Sequence, residues 1–161
     1  MSGDRLIEEA RQHEKKLVNF FWRLGVSISE CEDLVQETYL RLWRCRDGYR
    51  PTAKFTTFLF LIARQVRIDA LRRQTRREGR ETDYAAMQST IQPPPNGDGE
   101  EVRRAVLRLP EPLRETVELC VFQDLPYAEV AGILGIPLGT VKSRMFNALR
   151  KLKEMFDECR S

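Results

Sequence analysis

Apolar residues recur at three- and four-residue spacing along most of the chain, and no stretch sustains period-two alternation, so the pattern predicts an all-α protein. One helix is expected from about Arg5 to Leu24, with Leu6, Ala10, Leu17, Phe20, Phe21 and Leu24 inward and Gly25 ending it. Ser29 is the expected N-cap of the next helix, with Glu32 as its capping-box partner. That helix runs from Glu30 to about Arg44 and turns Cys31, Leu34, Val35, Thr38, Tyr39, Leu42 and Cys45 to the core. Its other side carries Asp33, Gln36, Leu40 and Trp43, with Glu37 at the margin. A polar face that also holds a leucine and a tryptophan has the make-up of a protein-binding surface. The same two residues could instead pack against another segment of a small domain, and the pattern does not choose between the two.

Asp47–Lys54 reads as a loop from its Asp-Gly and Arg-Pro pairs. A helix follows over residues 54–77. Phe55, Phe58, Leu59, Ile62, Ala63, Val66 and Ala70 form one stripe, with Phe60, Arg64, Arg67 and Leu71 across from it and Gln65, Ile68 and Arg72 between. Its first half is apolar nearly all round and is expected to be sandwiched within a domain. Its second half carries Arg64, Arg67, Arg72, Arg73, Arg76 and Arg77. Arginines interleaved with aromatics and an amide suit single-stranded bases and phosphates, and a solvated basic helix end is the other reading.

Residues 79–100 are acidic and aperiodic and contain Pro93-Pro94-Pro95 followed by Asn-Gly-Asp-Gly, the composition of a flexible linker that is stiff where the prolines run. A second helical unit is expected from about Glu101, with a break at Pro110 and Pro112. Leu113, Val117, Leu119, Cys120 and Val121 are the apolar content of its next helix.

The most informative stretch is Pro126–Leu152. A short helix from about Tyr127 to Leu134, a Gly135-Ile136-Pro137 break and a longer helix from about Leu138 make the sequence form of a helix-turn-helix. Ala131, Gly135 and Val141 fall where that motif needs a small contact residue, a turn glycine and a buried aliphatic. On the second helix, Val141, Met145, Ala148, Leu149, Leu152 and Phe156 form the inward stripe. Lys142, Ser143, Phe146, Asn147 and Arg150 form the outward one, a set able to meet phosphates, base edges and a thymine methyl in a major groove. An exposed phenylalanine at its centre argues against a merely solvated face.

Composition refines this picture in three respects. Net charge is +3 overall, but residues 1–78 carry +5, residues 79–101 carry −4 and residues 102–161 carry +2, so basic blocks flank an acidic connector. Cys31, Cys45, Cys120 and Cys159 show no metal spacing and His13 is the only histidine, which with no nucleotide loop disfavours an enzyme and leaves no expected metal or cofactor. Cys31 and Cys45, expected on one helix, lie roughly 21 Å apart there, too far to bridge. No apolar run approaches the ~20 residues of a membrane span and the start is charged, so a cytoplasmic protein is expected.

Taken in order, EDLVQETYLRLWR, FTTFLFLIARQVRIDALRR and LPEPLRETVELCVFQDLPYAEVAGILGIPLGTVKSRMFNALRKLK resemble the bacterial extracytoplasmic-function (ECF) sigma factors of the sigma-70 family over almost the whole chain. The resemblance implies two small helical domains: residues 1–78 as sigma region 2, residues 79–100 as a linker, and residues 101–161 as sigma region 4 with its helix-turn-helix. It implies contacts with the β′ and β subunits of core RNA polymerase and with promoter DNA, no catalytic residue and no small-molecule substrate. Carried over by motif, Asp33, Gln36, Glu37, Leu40 and Trp43 would dock the polymerase. Phe58, Arg64, Gln65, Arg67, Arg72 and Arg73 would open and read the −10 element as single strand. Lys142, Ser143, Arg144, Phe146, Asn147 and Arg150 would face the −35 duplex. An anti-sigma protein, soluble or anchored at the inner face of the membrane, would hold the factor inactive. Three residues depart from the common pattern: Phe58 stands where tryptophan is common, Gln65 where many members have asparagine, and Asn147 where many have arginine. The alternative is a helix-turn-helix regulator whose N-terminal helices sense a signal or dimerise.

Overall fold

The computed structural model describes residues 3–49, 54–77 and 99–160, with side chains through Glu158. All regular structure among them is helical, as the apolar periodicity predicts. The chain divides into two compact units, Met1–Phe21 with Val26–Gln92 and Trp22–Gly25 with Pro93–Ser161. The expected linker lies outside the described residues except for its last two positions, which open a helix.

The first unit is built on α1 (Gly3–Arg11), α2 (Glu14–Arg23) up to Phe21, α3 (Ile28–Arg44) and α4 (Phe55–Arg77). The single helix expected over residues 5–24 is therefore two. Gln12 and His13 donate to the carbonyls of Glu9 and Ala10 in a tightened last turn of α1, and Leu17 donates to His13 to open α2. Leu6, Ala10, Leu17, Phe20 and Phe21 are nevertheless buried as expected, because the two-residue turn redirects the chain without changing which side faces the core, and Leu24, in the segment grouped with the second unit, is buried too. Gly25 then reverses the chain at a φ of 101°.

The N-cap of α3 is Ser27 rather than Ser29. Ser27 Oγ accepts the Glu30 amide at 3.4 Å, and its carbonyl accepts the first helical bond from Cys31 at 2.9 Å. Glu30, not Glu32, holds the third helical position, so the helix starts two residues early. Cys31, Val35, Thr38, Tyr39 and Leu42 are buried as expected, while Cys45 is the exposed C-cap residue, where the helical phase ends. The Arg46–Gly48 turn follows.

Helix α3 packs on α1 and α4. The first half of α4 is enclosed on both sides: Phe55, Leu59, Phe60, Ile62, Ala63 and Val66 are all buried, and Phe60 meets Phe20 edge-on at 5.4 Å between centroids. The enclosure reaches one turn further than expected. Arg67, seven residues beyond Phe60 on the same line of the helix, is buried at 3% exposure.

The second unit comprises α5 (Gly99–Leu107), α6 (Glu111–Val117), a π turn (Glu118–Phe122), α7 (Tyr127–Leu134) and α8 (Leu138–Arg160). Glu100 and Glu101 in the first turn of α5 complement its dipole, and Glu100 pairs with Arg104 at 3.1 Å. Pro110 caps α6, and Pro112 sits in its first turn, where no amide is needed. The π turn breaks the 100° phase, and of the apolar residues of this stretch Val121 is left 48% exposed. Helices α6 and α7 both pack on α8 around Val130, Ile133, Val141, Met145 and Ala148. Burial fades along α8 after Ala148. Leu149 and Phe156, expected inward, are exposed because the helix continues past its packing partners.

Candidate nucleic-acid and protein interfaces

The turn between α7 and α8 follows the local rules that the sequence announces. Pro126 caps α7, Gly135 ends it in the left-handed region (φ 67°, ψ 37°), and Gly135 and Ile136 both donate to the Ala131 carbonyl. Pro137 precedes α8 and accepts from Thr140 and Val141, fixing the helix start.

This start sets the phase of α8. Val141, Met145 and Ala148 point inward, and Lys142, Ser143, Phe146 and Arg150 are exposed, with Asn147 and Arg144 half-buried. Phe146 is 69% exposed, a phenylalanine that the protein's own packing does not use. Ser143 Oγ donates back to the Gly139 carbonyl at 3.0 Å. Tyr127 and Leu138, at the starts of α7 and α8, are exposed as well. Their apolar character alone gave no sign of exposure.

On α3, Asp33, Gln36 and Leu40 are exposed, Leu40 at 51%, and Glu37 lies at the margin. Trp43 is 41% exposed and half committed: a Cβ at Gly3 would run into its ring, and the Arg46 guanidinium lies over it at 4.2 Å. The two readings left open for this face thus divide between its residues. Trp43 packs within its own unit along one side, while Leu40 offers its side chain outward.

Along α4, Phe58, Gln65 and Arg72 are seven residues apart and fall on one line of the helix, half-buried, exposed and exposed in turn. Tyr49 packs against Phe58 at 5.2 Å between centroids and so extends the aromatic end of that line. The loop assignment had not singled it out. Arg73 is exposed and Arg64 half-buried, but Arg67 is withdrawn from the surface and does not join them.

Sequence reasoning also missed an ion-pair fork between the two helices. Arg41 Nε donates to Glu37 Oε1 at 3.1 Å and its Nη1 to Asp69 Oδ2 at 2.6 Å. Desolvation lowers the Arg41 pKa, but the hydrogen bonds to Asp69 and Glu37 outweigh it, and the guanidinium stays charged. A lone carboxylate within RIDALRR was the available signal. Among the described residues no His, Cys, Asp or Glu cluster could hold a metal ion, and no helix is long and apolar enough to cross a membrane.

The described residues thus carry two exposed, chemically mixed faces on α3 and α4 and a third on a helix-turn-helix. Residues 10–77 match the family profile of sigma-70 region 2, and residues 99–152 match that of sigma-70 region 4. The chain is 32% identical over 148 residues to the ECF sigma factor RpoE of Cereibacter sphaeroides, covering 86% of this chain and 79% of that one. It is 33% identical over 137 residues to the ECF sigma-E factor of Escherichia coli, covering 76% and 72%. The ECF sigma factor SigE of Mycolicibacterium smegmatis is 31% identical over 95% of this chain, which spans 61% of that longer protein. The solved structure of the sigma factor RpoE from Bartonella quintana, in complex with the anti-sigma factor NepR, superposes with a TM-score of 0.80 at 26% identity, covering 93% of this chain and 95% of that one. The chain belongs to the sigma-70 family. Within it, the chain is an ECF sigma factor, a transcription initiation factor.

Proposed function

We propose that this chain directs core RNA polymerase to a two-element promoter, with the residue roles that the exposed faces support. Residues 1–78 bind polymerase and open the −10 element, residues 101–161 bind the −35 duplex, and residues 79–100 connect them. Asp33, Gln36, Glu37 and Leu40 dock the core, with Trp43 contributing its open edge. Phe58, Arg64, Gln65, Arg72 and Arg73 hold the −10 strand. Lys142, Ser143, Arg144, Phe146, Asn147 and Arg150 face the −35 element. The buried Arg67 is left out of the contact set.

The observation that carries this reading is the exposure of Phe146, at 69%, beside Lys142 and Arg150 on a helix whose Val141, Met145 and Ala148 are buried on the other side. Such a face serves a major groove better than water. Unpairing costs a few kcal/mol for each flipped base. Stacking of roughly 1–3 kcal/mol per base, with arginine–phosphate contacts, offsets it. Energy realised only on the opened strand shifts DNA toward melting. No step needs a catalytic side chain.

The factor works in the cytoplasm, where the polymerase is. An anti-sigma protein covering these faces controls it. This reading is supported by the Bartonella relative, whose solved structure is a sigma–anti-sigma complex.

The test is transcription by purified core polymerase on a promoter library with and without the chain. New start sites, each preceded by two shared elements, are expected. Tight duplex binding without core-dependent initiation would make the chain a regulator instead.

A further inference from the structure

The outward face of α8 is uneven in what it can offer a base pair. Lys142, Arg144 and Arg150 are donors only, and Phe146 makes no strong hydrogen bond. Ser143 has given its single proton to Gly139. Asn147 differs. It sits one helical turn beyond Ser143, next to the exposed Phe146, and its amide makes no hydrogen bond among the described residues. It is the side chain on this face that holds an uncommitted donor and an uncommitted acceptor on one rigid plane.

The four bases present different edges in the major groove. Guanine shows two acceptors, cytosine a donor, thymine an acceptor with a methyl, and adenine an acceptor at N7 beside a donor at N6. Only adenine matches both halves of an amide at once. We infer that Asn147 reads an adenine in the −35 duplex, its Nδ2 donating to N7 and its Oδ1 accepting from the N6 amine. The inference rests on the proposed placement of α8 in the major groove and names the base that this placement recognises. Lys142 and Arg150, as cations free to meet phosphate, set the register in which the amide meets one base pair.

The test uses holoenzyme reconstituted from core polymerase and the full chain, which selects from duplexes randomised across the upstream element. One position is expected to require adenine. Replacing that adenine with 7-deazaadenine, which lacks the N7 acceptor, or with purine, which lacks the N6 amine, is expected to weaken binding about 5- to 150-fold. Asn147→Ala is expected to flatten the preference at that position alone, and Asn147→Arg to move it to guanine. Circular dichroism confirms that each variant keeps its helicity.

If a sequence is selected but no adenine position responds to Asn147→Ala, or both base analogues bind as adenine does, the inference is overturned. The groove placement then survives provided that Lys142→Ala and Phe146→Ala still weaken binding. If neither of those variants changes binding and no upstream sequence is selected, both the inference and the placement fall.

Discussion

Arg41 grips Asp69 at 2.6 Å and so ties α3, which carries the proposed polymerase face, to the basic half of α4. Asp69 lies three and four residues before Arg72 and Arg73, the spacing at which a carboxylate pairs along its own helix. By engaging Asp69 across the helix boundary, Arg41 favours leaving those two arginines for an outside partner. Both members of the pair are partly exposed, at 23% and 42%, so screening limits its worth. A double-mutant cycle with Arg41→Met and Asp69→Asn in urea unfolding is expected to give a coupling of about 0.5–1 kcal/mol that shrinks at high salt. Zero coupling at low salt would reduce the fork to a geometric coincidence.

Leu40 and Leu42 are two residues apart and opposite in role. Leu42 is fully buried, and Leu42→Ala is expected to cost about 2–5 kcal/mol of stability. Leu40 is 51% exposed, and Leu40→Ala is expected to leave stability within about 0.5 kcal/mol. The same substitution at Leu40 is expected to weaken core polymerase binding by more than about 1 kcal/mol, roughly fivefold or more. Titration of labelled core with each variant reads the difference, and unchanged affinity for Leu40→Ala would remove that residue from the docking face.

A similar contrast separates Met145 from Phe146. Met145, 4% exposed, anchors α8, and Met145→Ala is expected to destabilise the unit by about 2–5 kcal/mol. Phe146→Ala is expected to unfold at the wild-type midpoint while losing promoter affinity. Lys142→Ala is expected to weaken binding to all duplexes alike and to lower the slope of log affinity against log salt by about 1. A slope unchanged by that substitution would show that Lys142 meets no phosphate.

Two glycines in one short segment are expected to respond in opposite directions to alanine. Gly132 lies inside α7 with no neighbouring atom within 4 Å of where an alanine methyl would sit, so Gly132→Ala is expected to stabilise by about 0.5–1 kcal/mol. Gly135 has equal space but sits at φ 67°, and Gly135→Ala is expected to destabilise by about 1–2 kcal/mol through backbone strain alone. Thermal unfolding of the two variants decides this, and equal midpoints would refute the strained turn.

Thiol chemistry distinguishes Cys45 from Cys120. Burial raises the Cys120 pKa from 9.0 to about 11, so its proton is retained at pH 8 while exposed Cys45 remains accessible. In a Cys159→Ser background, a maleimide is expected to label Cys45 quickly and Cys120 only as the protein opens. The sign for stability follows from the raised pKa. Holding the neutral thiol favours the folded state below pH 9, and that contribution is lost as pH rises toward 11. Fast labelling of Cys120 in the folded protein would contradict its burial.

Where neighbouring residues alone decide conformation, the sequence was sufficient. The helix-turn-helix was legible to the residue, because a left-handed glycine, a proline at the following helix start and a 3.6-residue apolar period act over a few positions. The outward sets on α3 and α8 were legible for the same reason, since once a helix start is fixed its faces follow. Tertiary packing decided the rest. It buried Arg67 and left Leu149 and Phe156 in water, while the Ser27 cap and the break at Gln12–His13 are local bonds that the apolar period did not reveal. Periodicity tells which residues share a side of a helix, but whether anything covers that side depends on where the other helices end. Arg41 and Asp69 meet across 28 positions of sequence, and only the packing of α3 on α4 brings them together.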